Sequence, residues 1–340
     1  SAGAAKVAIS KSTLNGLCTV NVAAAGANVT VDNSTVNCND NNTTAGEVYA
    51  ALCLNKAAVG ASIVATNTTV NVAAGSDSEK GRNGAENGTV TINGSTEGVT
   101  VTVAVITYPG SDNYHGFTSL AAAIEFAKAG DVVTLIRDVT MNYGAREAFA
   151  TNANIVTING NGHKVTSSAN RVFRVTAAAE VTLNNVNMVS TAFSSYTSDI
   201  RGISLDGGVQ GVIKLTLNNC SVDFDPQSGS DWAYAVNISG NSSGYTLAIN
   251  GGTYEGANVV CGILQGKFWG STTVGETTPL VIKSTTTING VAVTADDVAE
   301  LRASYAATGT TTFMATLASA PLEALYESAR IINASRNATA

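Results

Sequence analysis

Six short stretches of this chain end in the same way: Thr91-Ile92-Asn93-Gly94, Thr157-Ile158-Asn159-Gly160, Thr182-Leu183-Asn184-Asn185, Thr216-Leu217-Asn218-Asn219, Ala248-Ile249-Asn250-Gly251 and Thr287-Ile288-Asn289-Gly290. Each is a β-branched or apolar run closed by Asn and then Gly or Asn. From Asn159 onward the Asn positions are spaced by 25, 34, 32 and 39 residues. A fixed local motif at such a spacing, with uneven insertions, predicts stacked coils joined by loops of variable length. A strand of a few residues buries one face only. It becomes stable when the next coil lies about 4.8 Å above it and pairs its backbone. Asn at a sharp corner tolerates a left-handed backbone, and its side chain can bond to the equivalent Asn of the next coil. The alternative is that each Asn-Gly marks a hairpin of a β-sandwich. Second short runs after the corner, such as Val186-Asn187-Met188-Val189, Cys220-Ser221-Val222-Asp223 and Gly252-Thr253-Tyr254, favour coils. Only 13% of residues are charged and 44% are hydrophobic, so a sizeable core is available and disorder is excluded.

Ahead of the best repeats, Leu120, Ala123, Ile124 and Ala127 share one face at helical spacing, with Thr118 or Ser119 as cap and Gly130 as stop. Asp131-Val132-Val133-Thr134-Leu135-Ile136 then reads as a buried strand. The run Phe117–Leu135 resembles the N-terminal cap helix and first strand of pectin-lyase-like right-handed β-helices, and Ile155–Val165 resembles their first coil. The likeness spans about residues 115–293 and is nearest in flavour to repetitive bacterial surface and adhesin-like proteins. It implies an all-β fold, a right-handed parallel β-helix with an N-terminal cap helix. It leaves function open, because that fold hosts enzymes and inert fibres alike.

The flanks differ from this middle. Residues 1–110 are β-rich, with half-buried strands at Lys6-Val7-Ala8-Ile9, Asn28-Val29-Thr30-Val31 and Val70-Asn71-Val72. They are expected to form a sandwich or an extra strand layer, and Ala4–Ser10 would serve as an arm adding a strand to a neighbouring copy. Val99–Ile106 alternates as one strand, and the polar run Ser76–Glu86 reads as an exposed loop. The division expected is therefore 1–110, 111–293 for the β-helix, and 294–340 for a helical C-terminal cap or docking tail, with Thr294 capping its first helix.

Net charge is −7, and no basic tract occurs, which argues against nucleic acid as a partner. No apolar stretch approaches the length of a membrane span. The first residue is Ser1, which fits removal of a signal peptide and an extracellular or cell-surface location. Five cysteines are present without a CxxC, and two histidines, His115 and His163, which makes a zinc site unexpected. A disulfide among the first three cysteines, with Cys18 and Cys38 the pair favoured, suits an oxidising compartment. Twelve N-x-S/T sequons occur, among them Asn28, Asn33, Asn42, Asn67, Asn87, Asn93, Asn237 and Asn241; glycosylation is permitted at them.

No complete set of lyase or hydrolase residues stands out. The family's hydrolases use Asp clusters with Gly-His-Gly and Arg-x-Lys, and Gly162-His163-Lys164 matches only the first two residues of the former. The best acidic group is Asp206, Asp223 and Asp225, which would suit a Ca²⁺ ion or acid–base chemistry on a glycosidic bond, with Arg201 and Lys214 as the nearby bases. A solvated turn accounts for the same residues. Trp232, in a polar loop, is the candidate ring for a glycan contact. The expectation is a non-catalytic extracellular structural or adhesive protein without cofactor, self-associating into a filament or layer. A carbohydrate-active enzyme or a glycan-binding fibre module is the alternative.

Overall fold

The computed structural model describes residues 4–39, 49–108, 110, 114–141, 155–192, 200–205, 212–224, 233–238, 244–254, 263–265, 280–288 and 290–300. The chain is all-β apart from short helices, and it divides into two compact units. The first comprises Ser1–Val105 with Gly116–Ser119; the second comprises Ile106–His115 with Leu120–Ala340.

In the first unit the strands are dealt in turn to three sheets. Lys6–Ser10, Asn28–Asp32, Ser62–Thr66 and Thr89–Ile92 make one sheet. Thr13–Gly16, Thr35–Cys38 and Thr69–Val72 make the second; Val20–Val22, Ala50–Leu54, Glu79–Asn83 and Val99–Val101 make the third. Every pairing is parallel. The region expected to hold a sandwich or an added layer is thus itself a set of stacked coils. Alternation does the sorting: Val29 and Val31 point in, Asn28, Thr30 and Asp32 point out. Val7, Val29, Ile63 and Val90 lie in register, so each coil sets its inward residue on the one before. Val31 and Ile63 are fully buried, each stabilising the stack by about 1.5–3 kcal/mol.

The corner after the first sheet is built alike in each coil. Lys11, Asn33, Asn67 and Asn93 have φ of 48°, 45°, 50° and 51°. Asn adopts this left-handed backbone more cheaply than most residues, which is why it recurs there. The next residue then folds its hydroxyl back: Ser12 Oγ donates to the Ser10 carbonyl, Ser34 Oγ to Asp32 and Thr68 Oγ1 to Thr66, each at 2.8 Å. In the fourth coil Gly94 replaces the hydroxyl residue, and Ile92 and Ser95 exchange backbone hydrogen bonds across a tight turn. Here Asn93 takes over by bonding with both its amide nitrogen and its oxygen to the Thr68 backbone, each at 3.0 Å.

Two expectations fail in this unit. Ser76–Glu86 is no loop, because Glu79–Asn83 is a parallel strand beside Ala50–Leu54. Its inward residues are Gly81 and Asn83, so hydrophobic alternation is missing, while Lys80 and Arg82 point outward. Gly81 fits a crowded site, where a Cβ would meet Val99 Cγ2 at 3.0 Å. Val99–Ile106 breaks into Val99–Val101 and Ala104–Thr107: the Thr102 amide still bonds to the Asn83 carbonyl at 3.0 Å, but the Val103 amide turns to the Phe117 carbonyl at 2.8 Å. The arm residues Lys6–Ser10 are also already paired, with Asn28–Asp32 of their own chain.

The second unit repeats the pattern. Along one face run Val132–Leu135, Ile155–Asn159, Ala179–Asn184, the first arms of Val212–Phe224 and Gly244–Tyr254, and Leu280–Ser284. The second face holds Val139–Met141, Lys164–Ser167, Asn187–Ser190, the second arms of the two long strands, and Thr286–Ile288. Arg171–Val175, Ile200–Leu205, Ala233–Ile238 and Ile263–Gln265 form a third sheet. These pairings are all parallel. The long strands bend at Asn219 (φ 50°) and Gly251 (φ 79°), in line with Asn185 (φ 50°). Helix Leu120–Phe126 buries Leu120, Ala123 and Ile124, and Ala127 is buried just beyond it, as the helical spacing predicts. Val132–Leu135 is only half-buried, with Val132 facing outward. Of the six aligned stretches, the last, like the first, turns back instead of running on into a parallel strand. Val291–Val293 folds back antiparallel on Thr286–Ile288 through Gly290 (φ 76°), a hairpin that follows the last parallel pairing among the described residues. Thr294 then caps helical residues 295–300, with its amide and hydroxyl both 2.7 Å from Asp297 Oδ2.

Candidate functional site

The most regular polar feature is a pair of outward-facing Asn ladders, one in each unit. Asn15, Asn37 and Asn71 lie in register; Asn37 Nδ2 donates to Asn15 Oδ1, and Asn71 Nδ2 to Asn37 Oδ1, each at 2.8 Å. Thr13, Thr35 and Thr69 form a second row beside them. In the second unit Asn159, Asn184, Asn218 and Asn250 share a register, with Asn218 Nδ2 donating to Asn184 Oδ1 at 2.6 Å and Asn250 Nδ2 to Asn218 Oδ1. Thr157, Thr182 and Thr216 form the neighbouring row. The strand period of two and the in-register parallel stack together place like residues over like. An amide has one acceptor and one donor end, so each rung of a column can bond to the next. The repeated motif is spent on holding coils together.

The site residues expected from sequence are scattered. Asp223 sits exposed on Val212–Phe224, opposite Val189 in register. Asp206, Asp225 and Trp232 lie outside the described residues. Lys214 Nζ is 3.6 Å from Glu180 Oε2, and Arg201 lies beside Arg171 in the third sheet. His163 Nδ1 is 3.4 Å from Asp138 Oδ1 in the turn of its coil. Among the described residues no group of three or more His, Cys, Asp or Glu side chains assembles as a metal site would, and no helix is long and apolar enough to cross a membrane.

The sequons divide by their geometry. Asn33, Asn67 and Asn87 are exposed left-handed residues, and Asn28 is exposed on its strand. Asn93 Nδ2 donates to the Thr68 carbonyl, as Asn28 Nδ2 does to the Gly26 carbonyl and Asn67 Nδ2 to Asp32 Oδ1, so one N–H at each of these sites is engaged. Asn237 lies in Ala233–Ile238, while Asn42 and Asn241 fall outside the described residues.

Cys18, Cys38, Cys53 and Cys220 are thiols in this structure. Cys38 faces the core, with Sγ 2.9 Å from the Leu17 carbonyl. The Cys53 thiol is pushed well above its usual pKa range by the Cys18 side chain and by burial. Cys220 occupies the corner position that Ser34 and Thr68 hold in the first unit, its Sγ directed at the Leu183 and Asn218 carbonyls. Burial pushes its pKa up to about 11 and holds the Tyr254 phenol above its usual range as well.

A cavity of about 620 Å³ lies at the fourth coil of the first unit, lined by Val72, Glu79, Ile92 and Glu97 among others. It exists because the fourth coil passes from Ile92 to Val99 without a strand in the second sheet, leaving Thr69–Val72 at that sheet's edge. No family model, curated protein or solved structure matches the chain.

Proposed function

We propose that the chain is a non-catalytic structural or adhesive protein of an extracellular surface. Its coils form right-handed parallel β-helices of the pectin-lyase-like kind, with Leu120–Phe126 as a cap helix. The repeating Asn ladders carry this reading. In a catalytic face the outward residues differ from coil to coil so as to converge on a substrate; here Asn15-Asn37-Asn71 and Asn184-Asn218-Asn250 repeat and bond rung to rung, the second column ending at Asn250 Oδ1, which is buried without a hydrogen bond. The exposed sequons Asn28, Asn33, Asn67 and Asn87 fit a glycosylated surface protein.

Self-association is supported by the first coil. Lys6–Ser10, Thr13–Gly16 and Val20–Val22 each have one parallel neighbour among the described strands, leaving three edges open. Val7 is 47% exposed although its register partner Val29 is 5% exposed, so the innermost layer is uncovered on that side. A second copy would supply the missing backbone partners and cover Val7. Electron microscopy and light scattering across a dilution series test this. Filaments or sheets that vanish on Val7→Asp support the proposal; single particles at every concentration overturn the assembly part. Glycan turnover that is lost on Asp223→Ala would overturn the non-catalytic part.

A further inference from the structure

We infer that the second sheet of the N-terminal unit takes up an extended peptide from another protein as its fourth strand. That sheet holds Thr13–Gly16, Thr35–Cys38 and Thr69–Val72, whereas the other two sheets of the unit hold four strands each. The first three coils place Thr13-Leu14-Asn15-Gly16, Thr35-Val36-Asn37-Cys38 and Thr69-Val70-Asn71-Val72 in register here. The fourth coil turns back at Asn93-Gly94-Ser95 and supplies no counterpart. The Thr69 amide donates to the Ser34 carbonyl at 3.0 Å, so the backbone groups of Thr69 and Asn71 face Thr35–Cys38. Strand alternation turns the amides and carbonyls of Val70 and Val72 to the open side. Among the described residues none bonds to them there.

Three features of this edge select the occupant. Asn93 bonds to the Thr68 amide and carbonyl with the two ends of its side chain, each at 3.0 Å, standing in for a next strand at that one residue. An incoming strand therefore begins opposite Thr69. In the ladder each Nδ2 donates to the Oδ1 of the coil before it, so Asn71 Oδ1 is left as the acceptor for the Nδ2 of a fourth Asn. Next to it lies the cavity of about 620 Å³ between Val72, Ile92 and Val99, which receives the apolar residue after that Asn. Its size falls in the range of ligand sites, roughly 300–1,000 Å³. Glu79 on its wall is paired with Arg82 at 2.8 Å, and Lys80 and Glu97 are opposite in sign, so an uncharged segment suits it. A second copy cannot bring its first coil here, because its Lys6–Ser10 and Val20–Val22 would need the places that Thr89–Ile92 and Val99–Val101 fill. The occupant is thus a single extended segment of the pattern Thr-apolar-Asn-apolar, parallel to Thr69–Val72. Backbone bonds to Val70 and Val72 hold it, and the Asn rung sets its register. This site is separate from the open edges of the first coil.

The test adds the synthetic peptide Thr-Thr-Val-Asn-Val-Ala, the sequence of residues 68–73 with blocked ends, to the full chain carrying Val7→Asp, so that first-coil assembly does not compete. Residue-resolved amide exchange is the readout. Millimolar peptide should slow exchange at Val70 and Val72 by about tenfold or more, while Thr69 and Asn71, already bonded to the second coil, stay unchanged. Replacing the peptide's Asn by Ala should weaken binding about fivefold, the loss of one ladder bond. Val72→Pro removes an edge amide at the last residue of its strand, where proline is tolerated, and should abolish binding in a folded chain. Exchange unaltered by the peptide, or equal binding of the Asn and Ala peptides, overturns the inference. So does protection of Val70 and Val72 without peptide: at every protein concentration it means that the chain fills its own gap, and only at high concentration that a second copy does.

Discussion

The Asn ladder of the first unit makes a quantitative prediction about its middle rung. Asn37 donates to Asn15 and accepts from Asn71, so Asn37→Ala removes two side-chain hydrogen bonds, while Asn71→Ala or Asn15→Ala removes one. Each such bond contributes about 1 kcal/mol net, because the freed partner regains water. Asn15 and Asn71 are exposed, so no buried group is left unsatisfied. The expected costs are therefore about 2 kcal/mol for Asn37→Ala and about 1 kcal/mol for either end. Ala and Asn are both poor strand formers, so strand propensity changes little. Native-state hydrogen exchange of peptides spanning Thr35–Cys38 and Thr69–Val72 reads the effect locally. Asn37→Ala should speed exchange there by about thirtyfold, and Asn71→Ala by about fivefold. The double variant Asn37→Ala/Asn71→Ala should cost no more than Asn37→Ala alone, since the bond they share is already gone. Equal effects for the middle and end rungs, or strict additivity in the double variant, would refute the ladder as a source of coil-to-coil stability.

Four further substitutions probe the corners and the second unit. Lys11 has a left-handed backbone that its neighbours in the stack give to Asn, so Lys11→Asn should stabilise the first unit by about 1 kcal/mol and Asn67→Ala should destabilise it by about 1–2 kcal/mol, both read by urea unfolding. At Gly160 a Cβ would run into the Asn185 carbonyl and come within 2.7 Å of Val186 Cα, so Gly160→Ala should cost about 3 kcal/mol and deprotect Ile155–Asn159 and Ala179–Asn184. Cys220 is held protonated, its pKa raised from 9.0 to about 11 by burial. The unfolded chain loses that proton first, so the stability this thiol contributes is intact below pH 9 and is lost as pH rises toward 11. Cys220→Ala should flatten the decline in unfolding free energy over that window, and an unchanged slope would count against it.

What sequence alone determined here is what is set within a few residues. Asn at the corner, a hydroxyl after it and alternating Val or Ile before it follow from backbone sterics and a side-chain bond to a carbonyl two residues back. The Asn corner and the apolar alternation were therefore legible, as was the capped helix at Thr294, while the hydroxyl after the corner came to light only in the structure. Asn15-Asn37-Asn71 was missed because its Asn residues follow the corner, whereas the aligned motifs place them just before it. Only the tertiary structure decided which distant residues share a register, because coils are separated by insertions of unequal length and no local rule counts across them. That is why Glu79–Asn83 is a strand although its inward residues are Gly81 and Asn83. It is also why Thr287-Ile288-Asn289-Gly290, alike in sequence to the four stretches before it that lead into parallel arms, turns back as a hairpin. Local chemistry chose the shape of each corner; the stacking of one coil on the next chose its neighbours.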